Sequence, residues 1–128
     1  MLAECPLRCL IVDDDAPFLE ASRAILEGPE ITVVGVASTA AEGLRCAERL
    51  TPDVILADID LGGDSGFELA RKLVDGAGAD SDVILISTHA EEDFADLIAE
   101  SPAIGFVPKP DLSASAIQEL VRRRDSRP

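Results

Sequence analysis

Five short, branched apolar runs, each separated from the next by about one helix of chain, limit this sequence more than any other feature. They are RCLIV (8–12), ITVVGV (31–36), DVILA (53–57), DVILIS (82–87) and IGFV (104–107). Runs apolar at consecutive positions belong to strands covered on both faces, which is the condition of a parallel sheet. The segments between them carry helix-start signals: Asp15 ahead of Pro17, the boxes Thr39-x-x-Glu42 and Ser65-x-x-Glu68, and Ser113 before the last helix. Apolar spacing agrees, with Phe18, Ala21, Ser22 and Ile25 on one face of the first helix, Ala40, Leu44 and Ala47 on the second, and Ile117, Leu120 and Val121 on the last.

Five β-α units predict an α/β, doubly wound (βα)5 fold around a five-stranded parallel sheet, since right-handed crossovers send helices to both faces. For five units the flavodoxin-like strand order 2-1-3-4-5 is the common solution, and ligands bind beyond the carboxyl ends of the strands. At 128 residues the chain is expected to form a single domain over 1–128, with its core at about 7–124 and a basic tail at 122–128. No apolar run approaches the roughly 18 residues of a membrane span, and Met1 to Leu10 lacks the pattern of a signal peptide, so a soluble, cytoplasmic protein is expected. Cys5, Cys9 and Cys46 form an odd set without metal-type spacing and read as small buried hydrophobes. A formal net charge of −14 repels phosphate backbones, so this domain is not expected to bind nucleic acid. GAGAD (76–80) reads as a mobile turn, and RRRDSRP (122–128) as a solvated helix end whose charge suits the macrodipole, with an anion- or partner-binding patch as the alternative.

Chemistry collects at one edge of such a sheet. The first strand ends in Asp13, Asp14 and Asp15, the third in Asp58 and Asp60, the fourth in Ser87, Thr88 and His89, and the fifth in Lys109. Carboxylates crowded at one edge repel each other unless a hard cation with oxygen ligands joins them, and magnesium with retained waters suits two or three carboxylates better than calcium does. A carboxylate held against such a cation can act as nucleophile toward a phosphoryl group, and Asp58 is best placed for it. Lys109 offers a compact positive charge and Ser87 a hydroxyl donor for phosphoryl oxygens. Asp15 reads instead as the cap of the first helix, and His89, the lone histidine, as a surface loop residue without a role.

With these residues in order, LIVDDD (10–15), PDVILADIDLGGDSGFEL (52–69), VILIST (83–88) and GFVPKP (105–110) resemble the four signature segments of the response regulator receiver domain, over nearly the whole chain. The resemblance implies that Asp58 is the phosphoacceptor, that Asp13 and Asp14 help to bind Mg2+, and that the main-chain carbonyl of Asp60 completes the metal site. It further implies that Ser87 and Phe106 are the switch residues and Lys109 the signature lysine. The implied function is to receive a phosphoryl group from a sensor histidine kinase or histidine phosphotransfer protein and to change the surface of the fourth helix, fifth strand and fifth helix. An output protein, an output DNA-binding domain or a second copy docked on that surface are the partners it implies. AIGFVPKPDLSASAI (103–117) resembles receivers that precede LuxR-type helix-turn-helix domains, so both a stand-alone receiver and one cut from a longer regulator fit the chain.

Two rivals belong to other classes. Asp58-x-Asp60 after an apolar strand is also the nucleophile motif of haloacid-dehalogenase-like phosphatases, which are Mg2+-dependent enzymes; that reading leaves Asp13 and Asp14 idle and needs a longer chain. A phosphorylation-independent interaction module is the other, against which stands the competent chemistry at every signature position.

Several positions depart from the resemblance. Leu61-Gly62 stands where Met-Pro is usual, which frees a proline-constrained turn and predicts a looser loop. Phe106 lacks the hydroxyl of the common tyrosine, so its switch would run on ring packing. Lys109-Pro110 resembles a junction that is often cis. Thr88 replaces a smaller residue, and its bulk is expected to slow attack of water on a phosphorylated Asp58. Thr88→Ala is therefore expected to shorten the phosphoprotein's lifetime, read from phosphate loss by intact mass.

Overall fold

Strands β1 (Leu7–Val12), β2 (Ile31–Ala37), β3 (Val54–Asp58), β4 (Asp82–Ser87) and β5 (Gly105–Pro108) pair in parallel in the order β2-β1-β3-β4-β5, the expected 2-1-3-4-5. The computed structural model describes residues 6–76 and 80–125. Cys5, the middle of the GAGAD turn and the end of the basic tail lie outside these residues.

Register follows from double-sided burial. Leu10, Ile55 and Leu85 point to one face of the sheet and Ile11, Leu56 and Ile84 to the other, all with no exposure. Each such side chain contributes roughly 1.5–3 kcal/mol by leaving water. Helices α2 (Ala40–Leu50) and α3 (Gly66–Asp75) cover the first face through residues such as Ala47, Leu69 and Leu73, and the short α4 (Ala95–Glu100) adds Ile98. Helices α1 (Ala16–Leu26) and α5 (Ala114–Asp125) cover the second through Leu19, Leu26 and Ile117.

The caps fall where the sequence puts them, with different partners in places. Asp15 Oδ1 accepts from the Phe18 amide and Ser113 Oγ from the Ala116 amide. Thr39 Oγ1 accepts from the Glu42 amide, but Glu42 Oε1 reaches back to the amide of Ser38 instead of Thr39. Ser65 Oγ accepts from Phe67. The fourth crossover, which carries no start signal in the sequence, begins as a 3-10 turn over Glu91–Phe94 without a side-chain cap and buries no residue fully.

The predicted face of α1 is corrected by one position. Leu19, Ser22 and Leu26 are buried, while Ala21 is exposed and Ile25 is 58% exposed. Two overlapping stripes share Ser22, and the sheet selects the second; Ser22 tolerates burial because its hydroxyl donates to the Leu19 carbonyl at 3.1 Å. At the other end of the chain, Arg124 reaches Asp82 at 2.8 Å and ties α5 to the start of β4, whereas Arg122 and Arg123 lie near Glu119 at the surface.

The loop after β3 takes a defined, hydrogen-bonded shape. Asp60–Leu61 pairs with Asp64–Ser65 in a small antiparallel hairpin, and the Gly62 amide donates to Asp60 Oδ1 at 3.1 Å. Gly62 has φ +80° as the first of the two turn residues, the requirement of a type II′ hairpin. Proline cannot take that φ, so Leu61-Gly62 replaces one constrained turn with another. Lys109-Pro110 is trans. Gly62→Pro is expected to destabilise the protein by about 1 kcal/mol or more, seen as a lower urea midpoint with unchanged slope.

Candidate functional site

Asp58 is the last residue of β3, and Asp13 follows β1 directly, so the adjacency of these central strands sets their carboxylates side by side. The Asp13 amide donates to the Ala37 carbonyl at 3.0 Å, which extends the sheet by one residue and draws Asp13 into full burial. Each of the two carboxylates has one oxygen occupied locally. Asp13 Oδ1 accepts from the Asp15 amide at 2.9 Å, and Asp58 Oδ1 from the Asp60 amide at 3.2 Å. These turn bonds fix the rings of chain that follow and leave both Oδ2 atoms aimed into the cleft.

Lys109, just beyond β5, fills the gap between them. Its Nζ lies 2.7 Å from Asp13 Oδ2 and 3.1 Å from Asp58 Oδ2, and 4.4 Å from the centre of the Phe18 ring. The Asp58 contact is a hydrogen bond; the shorter Asp13 contact is out of line for one, so buried Asp13 Oδ2 has an ion-pair partner but no aligned donor. Phe18 holds the ammonium from the α1 side by a cation–π contact that sequence reading passed over; its place one turn into a helix that opens beside the acidic pair was the available signal.

The charges do not balance. Asp13, Asp14 and Asp58 bring carboxylate oxygens within 4.8 Å of one another against the one ammonium of Lys109. Burial, then the Asp13 charge, pushes the Asp58 carboxyl up to about 6, although the Asp60 amide and Lys109 pull the other way. Burial alone would lower Lys109; its contacts with Asp13 and Asp58, and their charges, outweigh that and hold it above its ordinary value. A buried carboxylate oxygen without an aligned hydrogen-bond donor, in a set of hard oxygen donors with excess negative charge, fits a divalent cation. The Asp60 side chain is spent on the Gly62 amide and is not part of this set.

Ser87 ends β4 beside Asp58 and is buried. Its Oγ accepts from the His89 amide at 3.0 Å and lies 3.4 Å from His89 Nδ1. The His89 ring stands edge-on to Phe94 at 5.7 Å, and Phe94 is tilted against Phe67 at 6.2 Å. His89, read from sequence as a surface loop residue without a role, is exposed as expected, and its ring nitrogen comes within reach of Ser87. Phe106 is buried two pairs before Pro108, the residue paired with Ser87. Thr88 is exposed. Cys9 and Cys46 are buried and free, and burial pushes the Cys9 thiol up to about 12.

Comparison with known proteins gives the family and the fold. The family described as the response regulator receiver domain matches residues 9–122. The transcriptional regulatory protein LiaR of Bacillus subtilis is 32% identical over 91% of this chain and 54% of its own length. A protein-glutamate methylesterase/protein-glutamine glutaminase of Symbiobacterium thermophilum is 34% identical over 91% of this chain and 33% of its own length. The chain therefore spans about half or less of these relatives. The signal receiver domain of NarL from Mycobacterium tuberculosis superposes with a TM-score of 0.82 at 26% identity, covering 97% of this chain and all of that one. Among the described residues no helix is long and apolar enough to cross a membrane.

Asp58 supplies a pH prediction. The unfolded chain releases this proton near pH 3.8 and the folded protein near 6, so the group's stabilising contribution is complete below about pH 4 and lost as pH rises to about 6. In metal-free buffer at neutral pH, Asp58→Asn is expected to be more stable by about 1 kcal/mol, after allowance for solvent at the cleft mouth, or a few degrees in Tm. The gain should shrink toward pH 4 in thermal melts.

Proposed function

The chain belongs to the response regulator receiver family, and on that premise we propose that it takes a phosphoryl group onto Asp58 from a histidine kinase or histidine phosphotransfer protein and switches an output partner. The observation that carries this reading is the Asp58 carboxylate at the carboxyl end of β3, held 3.1 Å from Lys109 beside the acidic pair. Asp58 Oδ2 attacks phosphorus, the bond from phosphorus to the donor's imidazole nitrogen breaks, and that nitrogen leaves with the bond's electron pair and picks up a proton. Asp58 is left as an acyl phosphate.

Asp13, Asp14, Asp58 and the main-chain carbonyl of Asp60 would hold Mg2+, which when bound supplies the charge that lets phosphoryl oxygens approach these carboxylates. Lys109 turns from Asp58 Oδ2 to a phosphoryl oxygen without leaving Asp13. Phe18 keeps the ammonium in reach as it does so. Ser87 then donates its hydroxyl to another phosphoryl oxygen, and Phe106 repacks, changing the surface of α4, β5 and α5. That surface is where an output partner or a second copy would dock. The chemistry modifies the protein itself and is not a turnover reaction. A histidine kinase partner places the protein in the cytoplasm.

LiaR is named a transcriptional regulatory protein and the Symbiobacterium relative a methylesterase, and both extend well beyond the span shared with this chain. An output domain of the first kind is favoured by the likeness of residues 103–117 to receivers that precede LuxR-type domains. The phosphatase alternative has no use for Asp13, which the 2.7 Å Lys109 contact makes a full member of the site.

Intact-mass spectrometry after incubation with acetyl phosphate is the direct test. A single phosphate adduct that needs Mg2+ and is absent in Asp58→Asn is expected; no adduct on the folded protein would leave a phosphorylation-independent interaction module, and steady release of inorganic phosphate over many turnovers would restore the phosphatase.

A further inference from the structure

We propose that His89 is a latch on the switch: its Nδ1 accepts the hydroxyl proton of Ser87 and holds that hydroxyl away from Asp58 until a phosphoryl oxygen takes the proton instead. The inference rests on the phosphoacceptor reading and adds to it a residue outside the signature set.

Hydrogen-bond inventory leads to it. A serine hydroxyl has one proton to give and two lone pairs to fill. Ser87 Oγ already accepts from the His89 main-chain amide at 3.0 Å, a bond any residue at 89 would supply. Its proton is still to be placed, and His89 Nδ1 lies 3.4 Å away, at the long end of hydrogen-bonding reach. Ser87 is buried, which limits water at its hydroxyl, while His89 is exposed and its ring also meets solvent. For Nδ1 to accept, the neutral ring must carry its own proton on Nε2.

The ring is held in place from its other side. Phe94 meets the imidazole edge-on at 5.7 Å and in turn leans on Phe67 of α3 at 6.2 Å. Phe94 closes the uncapped 3-10 turn that leads into α4. When the Ser87 proton moves to a phosphoryl oxygen, His89 Nδ1 loses the Ser87 hydroxyl, and the constraint it places on Phe94 and the start of α4 goes with it. His89 acts through Ser87 and touches no reacting atom, so it is a positioning residue. A group that both sites can claim stabilises whichever state holds it, and the resting bond lowers the share of molecules ready for phosphoryl transfer.

The chain has one histidine, which makes the first measurement unambiguous. In mildly alkaline solution the imidazole nitrogen spectrum of the free protein is expected to show the Nε2–H tautomer, with an Nδ1 shift that moves in Ser87→Ala. A ring protonated at Nδ1, or an Nδ1 indifferent to Ser87→Ala, overturns the latch. The second measurement is the rate of adduct formation with acetyl phosphate and Mg2+. His89→Phe keeps a ring against Phe94 and removes Nδ1, and is expected to speed phosphorylation about 2- to 5-fold, the effect of one long hydrogen bond. In a Ser87→Ala background the same substitution should change nothing. An adduct on the wild type with no effect of His89→Phe overturns the latch alone, whereas no adduct on the wild type overturns the phosphoacceptor reading and the latch together.

Discussion

One ammonium held between two carboxylates, with a third beside them, organises this molecule. Lys109 lies 2.7 Å from Asp13 and 3.1 Å from Asp58, with the oxygens of Asp14 in the same cluster. Buried like charges repel strongly and their desolvation is costly, so such an arrangement survives only where the surrounding fold holds it rigidly. The doubly wound sheet does so by placing β1 and β3 next to each other and β5 two strands away, each ending at the same edge. The residual strain is visible in Asp58, which burial and Asp13 drive toward the protonated form. A bound cation would relieve that strain, which is why the donor set fits one.

Rigidity in the site comes from short-range bonds as much as from the core. Asp13 and Asp58 each fix one oxygen on an amide two residues ahead and present the other to the cleft. The hairpin at Asp60–Leu61 and Asp64–Ser65 then returns the chain to Gly66, whose amide donates to the Ile59 carbonyl at 2.8 Å. A Cβ at Gly66 would collide with the Asp58 carbonyl oxygen, so the closeness of α3 to Asp58 depends on that glycine. Orientation of the Asp58 carboxylate is therefore settled by the fold itself.

Strands and capped helices were legible because their signals are local. Consecutive branched residues mark β1, β3 and β4 wherever they occur, and Asp15, Thr39, Ser65 and Ser113 announce helices through bonds that span three residues or fewer. The fourth crossover offers neither signal, and its helix is accordingly short and exposed. The face of α1 was misread by a single position because Phe18, Ser22 and Ile25 make as good a stripe as Leu19, Ser22 and Leu26. Phe18 packs partly buried against the core and meets Lys109, ninety-one positions along the chain, a contact no periodicity can convey.

The sequence by itself determined the parallel αβ architecture, the residues gathered at the carboxyl edge and their likeness to a receiver site, since strand type, strand-end chemistry and motif order are all written in the linear chain. Only the tertiary structure decided which oxygen of each carboxylate faces Lys109, that Asp60 closes a hairpin with its side chain, and that Phe18 and His89 stand beside the site. Those outcomes turn on packing and hydrogen-bond direction between residues of different elements, and distance along the chain carries no information about either.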